Sequence, residues 1–216
     1  MQSVKDFQQF INNREGKYLL PSGKFIDFFN MVPDDICIED IAHALARKCR
    51  WNGWTKDFYS IAEHSIHVAA FVPEELKLTA LLHDASEAYL FDIPRPVKMR
   101  FPQLLVLEDS LTLIIAEKFK LPFPTDRKIA DADDYVLEHE FNFVFRTDKL
   151  QAMPPDKAEI KFIERFNDYS RFHKPVDWIK DEVDKLKARL DELPFMERLS
   201  KEIEKDLKDE SYGKGE

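Results

Sequence analysis

Apolar residues recur along most of this chain at intervals of three and four, the spacing that gives a helix one buried face. Ile38, Ile41, Leu45 and Cys49, running through Ala46, form the first stripe, so helix is expected from near Asp35. The run from Arg50 to Trp54 breaks the pattern and reads as a loop. At Ser60-Ile61-Ala62-Glu63 a serine stands three residues ahead of a glutamate. That spacing predicts a capping box, in which each side chain satisfies a free backbone donor of the other. The helix it opens carries His64 and His67 and stops at Pro73. Leu78, Leu81, Leu82 and Ala85 predict one further helix from Glu74 to Tyr89, ending ahead of Asp92-Ile93-Pro94-Arg95-Pro96, where two prolines forbid continuation. Helices are also expected from Gln103 to Phe119, from Asp126 to Phe145 and, past Pro154-Pro155, from Lys157 to Phe172. The segment before Asp35 is mixed, with a turn-like Pro21-Ser22-Gly23 and a breaker at Pro33.

Composition narrows this to an all-α fold. The chain holds 216 residues, 44% hydrophobic and 34% charged, which suits a soluble globular protein with one substantial core. Only 5 glycines are present, too few for the turns of an all-β architecture. Beyond Pro175 charges dominate, with Ile179, Val183, Leu186 and Leu190 on one stripe and a charged helix-like run from Glu197 to Glu210. The organisation expected is therefore a main domain over residues 1–153 and a charged helical extension over 154–216. That extension either packs back on the domain or builds a homo-oligomer interface.

The net charge of −9 argues against a broad face for a nucleic-acid polymer, while leaving room for a small anion in a locally basic pocket. Cys37 and Cys49 form no CxxC pair and no disulfide framework. The opening MQSVKDFQQF lacks the apolar run of a signal peptide, and no stretch approaches the ~20 apolar residues of a membrane span. Cytoplasm, without membrane attachment, is the expected compartment.

The candidate chemistry lies in three places. His83, Asp84 and Glu87 fall on one face of the otherwise apolar helix LTALLHDASEAYL. Ionisable groups on a buried face are costly unless a metal or a partner compensates them; a helix rim with a satisfied ion pair is the plain alternative. His64 lies on the neighbouring capped helix, and His67, one turn on, reads as a supporting or surface histidine, with the ligand role as its alternative. In IADADDYVLEHEF, Asp133 shares a stripe with Leu137, Glu140 and Val144, whereas Asp131 and Asp134 fall off it. Asp133 is thus the candidate ligand, with Glu140 a partner. Two imidazoles and two carboxylates suit one borderline divalent ion, Mn, Co, Zn or Fe, with Mg less favoured. Such an ion polarises a phosphoryl group and acidifies its bound water.

The series His64, His83-Asp84 and Asp133 resembles the H…HD…D signature of the HD phosphohydrolase superfamily. The segments IEDIAHALARKCRWNG, FYSIAEHSIHVA and LLHDASEAYLFDIPRPVK resemble, more narrowly, bacterial HD-type 5′-deoxynucleotidases and phage dATP triphosphohydrolases. The likeness covers residues 20–145. It implies an HD-domain helical bundle with one metal held by His64, His83, Asp84 and Asp133. It further implies that Glu87 is the acid or base, that Arg50 orients the phosphate, and that Trp51 packs near the sugar. Asp92, Pro94 and Arg95 would line the nucleotide pocket. Lys98 joins them as a phosphate contact on the strength of its charge and its place just past that loop. His43 and Arg47, opposite the first apolar stripe, either reach the site or pair locally on the surface.

The expected activity is hydrolysis of a deoxynucleotide phosphate, with a small-molecule nucleotide as partner. The N-terminal segment leans toward the triphosphohydrolase branch, yet a triphosphate calls for more basic side chains than Arg50, Arg95 and Lys98. Alternatives are an alarmone hydrolase, a cyclic-nucleotide phosphodiesterase (the cyclic-dinucleotide branch carries a GYP motif that is missing here) and a non-catalytic module that binds a nucleotide or a partner.

Overall fold

A helix buried on most of its circumference must be wrapped by others, and the helix Ile61–Ala70 of this chain is of that kind. The computed structural model describes residues 17–146 and 152–177, together with the single positions 184 and 188. Helices dominate these residues, as expected for an all-α bundle. A small antiparallel hairpin, β1 (Lys17–Leu19) and β2 (Phe25–Asp27), comes first; its turn contains Gly23 at φ 84°, a left-handed value that glycine adopts freely. Then follow α1 (Ile38–Arg47), α2 (Ile61–Ala70), α3 (Lys77–Leu81), α4 (Arg95–Lys98), α5 (Pro102–Phe119), α6 (Arg127–Arg146) and α7 (Pro155–Ser170).

Helix α2 is the hub. Ile61, Ala62, Glu63, His64, Ser65, Ile66, Val68 and Ala69 are all buried on it, under α1, α3, α6 and α7. Helix α1 turns Ile41, Ala42, Leu45 and Ala46 inward and packs against α2 and α7. Its buried Asp40 accepts a hydrogen bond from the Ser22 amide at 2.8 Å, which docks the hairpin turn on the bundle. Helix α7 buries Ala158 and Phe162 completely against α1, α2 and α3. It is the described part of the expected C-terminal extension. The stripe Ile179, Val183, Leu186 and Leu190 and the run Glu197 to Glu210 lie outside the described residues, as does Val144's side chain.

Several expectations need correcting. Helix α1 starts at Ile38, because Pro33–Asp35 form a separate 3-10 turn, and it ends at Arg47, so Cys49 lies beyond it in an isolated bridge to Ser60. The capping box is half formed. Ser60 Oγ accepts from the Glu63 amide at 3.1 Å, but the Glu63 carboxylate accepts instead from the Met153 amide at 2.8 Å. Glu63 is buried beneath the lead-in to α7, and there a backbone donor ninety residues away is its nearest partner. The prolines around Arg95 end one element but also open α4, which carries Pro96 in its first turn, where the missing amide hydrogen costs nothing.

The largest departure is the helix expected from Glu74 to Tyr89. It is three pieces: a 3-10 turn over Glu74–Leu76, helix α3, and a second 3-10 turn over Ala85–Ala88. Neither proline nor glycine breaks it. His83 Nδ1 donates to the Ala80 carbonyl at 2.7 Å, taking the acceptor that a continuing helix would offer to the Asp84 amide. Asp84 then sits at φ −98°, ψ 15°, outside the helical well.

Cys37 and Cys49 are free thiols. Among the described residues no helix is long and apolar enough to cross a membrane.

Because Phe162 is fully buried at the meeting of α7 with the hub, Phe162→Ala is expected to cost about 3–5 kcal/mol of unfolding free energy. Ile160→Ala, at an exposed site of the same helix, is expected to stay within about 0.5 kcal/mol. Urea unfolding of both variants checks this; equal, small effects would show that α7 is peripheral to the cooperative core.

Candidate metal centre

Three separate pieces of chain bring their ionisable groups to one point. Helix α2 supplies His64, the break after α3 supplies His83 and Asp84, and α6 supplies Asp133. His64 Nε2 lies 3.0 Å from Asp133 Oδ1 and 3.6 Å from Asp84 Oδ2. His83 Nε2 lies 3.2 Å from Asp84 Oδ1 and 3.9 Å from Asp133 Oδ1. The two rings are 5.4 Å apart, and one ligand atom from each of His64, His83 and Asp133 lies within 4.8 Å of the others.

The outer nitrogens decide what the inner ones present. His64 Nδ1 donates to Glu140 Oε1 at 2.7 Å, and His83 Nδ1 donates to the Ala80 carbonyl. A carbonyl and an ionised carboxylate can only accept, so each ring keeps its Nδ1 proton and turns a bare Nε2 inward. Both Nε2 atoms and Asp133 Oδ1 are buried without a hydrogen-bond partner. Lone pairs facing anionic oxygens across 3–4 Å repel one another unless a cation lies among them. The residues present therefore fit a divalent metal with nitrogen and oxygen ligands.

Without a cation, a proton meets the same need. Burial alone would depress His83, but Asp84 and Asp133 outweigh it and push its pKa up to about 9. Asp84 goes the other way: burial would raise it, yet His83, His64 and Arg50 hold it far below the ordinary carboxylate range. Asp133 is lowered too, its burial overcome by His64 and His83. Glu87 is the exception. Desolvation, then the charges of Asp84 and Asp92, push it up to about 10, so it is the one carboxyl of the cluster that keeps its proton.

Arg50 enters from the turn between α1 and α2. Trp51 and Asn52 there have φ of 56° and 52°, left-handed values costly for side chains of this size. Arg50 Nε donates to Glu140 Oε2 at 3.2 Å, and its terminal nitrogens lie 3.5 Å from Asp84 and 3.8 Å from Asp133. Its indole neighbour Trp51 leans on Phe141, with ring centres 6.3 Å apart, and lines a surface cleft with Asp134, Leu137, Glu138 and Asn142. Lys98 Nζ lies 2.5 Å from Glu108 and 3.8 Å from Glu87. Asp92 is half-buried nearby, its pKa raised by burial although Arg50 pulls the other way.

Not every candidate arrives. Glu87 does so through the turn that follows the helix break, not along a shared helical face. Pro94 and Arg95 lie exposed at the start of α4, and among the described residues no hydrogen bond or ion pair ties them to the cluster. His67 faces outward and meets the Tyr59 hydroxyl at 3.1 Å instead of the centre. His43 and Arg47 pair with Glu159, and Arg47 also with Asp156, across to α7. On α6 the inward stripe is Ile129, Ala132, Val136 and Glu140; Asp133 stands at its edge and Leu137 is exposed, although both were expected on it. Asp131 and Asp134 are exposed.

Lys48 was missed altogether. Its ammonium donates to the carbonyls of Glu87, Ala88 and Leu90, pinning the turn that presents Glu87. A lone lysine after a helix carries no local sign of such a role.

Ligand binding to the folded state alone stabilises it, by about 2.7 kcal/mol at a hundredfold excess over the dissociation constant. Mn or Co added to metal-stripped protein is therefore expected to raise the melting temperature by roughly 5–10 °C, on the scaling for chains of this size. Asp133→Asn, nearly isosteric, should remove most of that rise, measured from the variant's own metal-free melting temperature. Differential scanning fluorimetry decides it; an equal rise in the variant would exclude Asp133 as a ligand.

No protein-family model matches the chain. It is similar to two bacterial proteins that are themselves uncharacterized. One, from Rhodobacter capsulatus, is 43% identical over 126 residues, covering 52% of this chain and 64% of the relative. The other is YfdR of Escherichia coli, 34% identical over 169 residues, which cover 71% of this chain and 95% of YfdR. With identity at that level across nearly the whole of the relative, this chain belongs to the same family as YfdR.

Proposed function

We propose that this chain is a metal-dependent phosphohydrolase of the HD superfamily that removes the phosphate of a small deoxynucleotide. The observation that carries the reading is the pair of unpartnered Nε2 atoms converging on Asp133 and Asp84, with the buried Arg50 guanidinium and the buried Glu87 carboxyl close by. His64, His83, Asp84 and Asp133 would hold the ion, of the Mn, Co, Zn or Fe type. When bound there it supplies Lewis acidity toward a phosphoryl oxygen and toward water.

The chain's own groups account for the rest. Arg50 is kept charged, because Glu140, Asp84, Asp133 and Asp92 outweigh its burial, and it faces the cluster as a planar donor for phosphate oxygens. Glu87 holds a proton suited to the departing 5′-oxygen. In the hydrolysis, water oxygen bonds to phosphorus, the bond from phosphorus to the 5′-oxygen breaks, and that oxygen leaves with the Glu87 proton. A proton from the attacking water restores the carboxyl. Trp51 and Phe141 beside Arg50 offer aromatic faces to the sugar and base.

Charge favours a monophosphate within this reading. Among the described residues, Arg50 is shared by three carboxylates, Lys98 by Glu87 and Glu108, and Lys48 is committed to backbone carbonyls. Arg95 stands apart. That supply suits one phosphate group better than three.

Metal-stripped protein reloaded with Mn or Co and given deoxynucleoside mono- and triphosphates is expected to release orthophosphate from the monophosphates. Glu87→Gln keeps the shape but not the transferable proton, and should lower kcat by roughly 10²–10⁴-fold with KM little changed. Ion-exchange separation of the products reads the outcome. Intact triphosphate as product would replace the monophosphate assignment, and no turnover with any metal would overturn the hydrolase reading.

A further inference from the structure

Glu140 is charged, 5% exposed and seven residues beyond Asp133 on the inward face of α6. None of its bonds is local. Oε1 accepts from His64 Nδ1 at 2.7 Å and from the Tyr59 hydroxyl at 2.8 Å, while Oε2 accepts from Arg50 Nε at 3.2 Å. Each oxygen thus serves a different half of the centre: one the imidazole that faces the metal position, the other the guanidinium that faces the phosphate position. A buried carboxylate with both oxygens engaged rotates as one rigid plane, so a shift of either partner is felt by the other.

We propose that Glu140 is a positioning residue that couples anion binding at Arg50 to metal binding at His64, making the two ligands mutually reinforcing. This rests on the metal-centre reading above. Metal-free, the Arg50 charge is spread over Asp84, Asp133 and Glu140. An ion that engages the two aspartates withdraws them from Arg50 and leaves the guanidinium to Glu140 and the incoming anion. An anion that draws Arg50 forward leaves more of the Glu140 charge to His64 Nδ1–H, which strengthens Nε2 as a ligand. Linkage requires the two effects to be equal in size.

The test is Mn²⁺ affinity with and without saturating inorganic phosphate, followed by the electron paramagnetic resonance signal of free Mn²⁺, in wild type and in Glu140→Gln. Wild type should bind Mn²⁺ more tightly with phosphate present. In Glu140→Gln the amide cannot accept from Arg50 and His64 together as a charged group. It should bind Mn²⁺ about 10–100-fold more weakly, the range for a lost partner behind a ligand, and the tightening by phosphate should shrink by at least half on a logarithmic scale. Tyr59→Phe removes one donor from Oε1 alone and should preserve the tightening. If Glu140→Gln does not fold, Glu140→Asp, which keeps the charge and withdraws it by one methylene, is expected to lose the tightening in the same way. A folded Glu140 variant with wild-type Mn²⁺ affinity, or with the tightening intact, overturns the coupling. Absence of Mn²⁺ binding in wild type itself overturns the metal centre and the coupling with it, and is told apart because the loss is not confined to the variants.

Discussion

The centre depends on one fully buried imidazole. His64 sits in the middle of the hub helix with no exposure, and both of its nitrogens must be accounted for inside the protein. Nδ1 is answered by Glu140 from α6. That bond fixes the ring's tautomer, and the tautomer fixes what Nε2 can bind. Everything else in the cluster is arranged around the nitrogen left over. Asp133 and Asp84 supply negative charge near it, His83 supplies a second bare nitrogen, and Arg50 keeps the carboxylates ionised. Take away the Glu140 bond and nothing fixes which ring nitrogen carries the proton, so the cluster loses the partner that turns Nε2 toward it.

Electrostatics divides the carboxyls of this small volume into two kinds. Asp84, Asp133 and Glu140 have cationic or hydrogen-bonding partners and are held ionised; Glu140 is pushed down to about 2 against its own burial, by His64, Arg50 and Tyr59. Glu87 has desolvation and two anionic neighbours and is held neutral. The division needs no special residue type, only different surroundings for the same group. In a protein of net charge −9 the positive charge of the site is concentrated on Arg50, which lies among three carboxylates.

Local signals carried the sequence reading far. Ser60 at the start of α2, the proline pairs and the three-and-four spacing located most helices; the resemblance supplied the set His64, His83, Asp84 and Asp133, and the fold brings their ring nitrogens and carboxylate oxygens within 3.0–3.9 Å of one another. What escaped depends on partners remote in the chain. Glu63 is drawn from its capping role by Met153, and Arg50 finds Glu140 across ninety residues. Lys48 reaches carbonyls some forty positions on. On α6 a small angular drift separates the observed inward face from the expected one, since a stripe through Asp133 and Leu137 and a stripe through Ala132 and Val136 differ by a single residue. The break after α3 was invisible for a different reason. Its cause is a side chain competing with the backbone, and the surrounding leucines and alanines are good helix formers.

That break gives His83 two jobs. The Nδ1 bond that aims its ring also cuts the helix and turns the chain toward Glu87. The geometry of the cluster and the path of the chain are therefore written in one residue. A leucine here would remove more than one imidazole from the cluster: the helix would be free to run on, carrying Asp84 and Glu87 to new bearings. Loss of the imidazole at this position would therefore show first in the path of the chain, as a straightened helix.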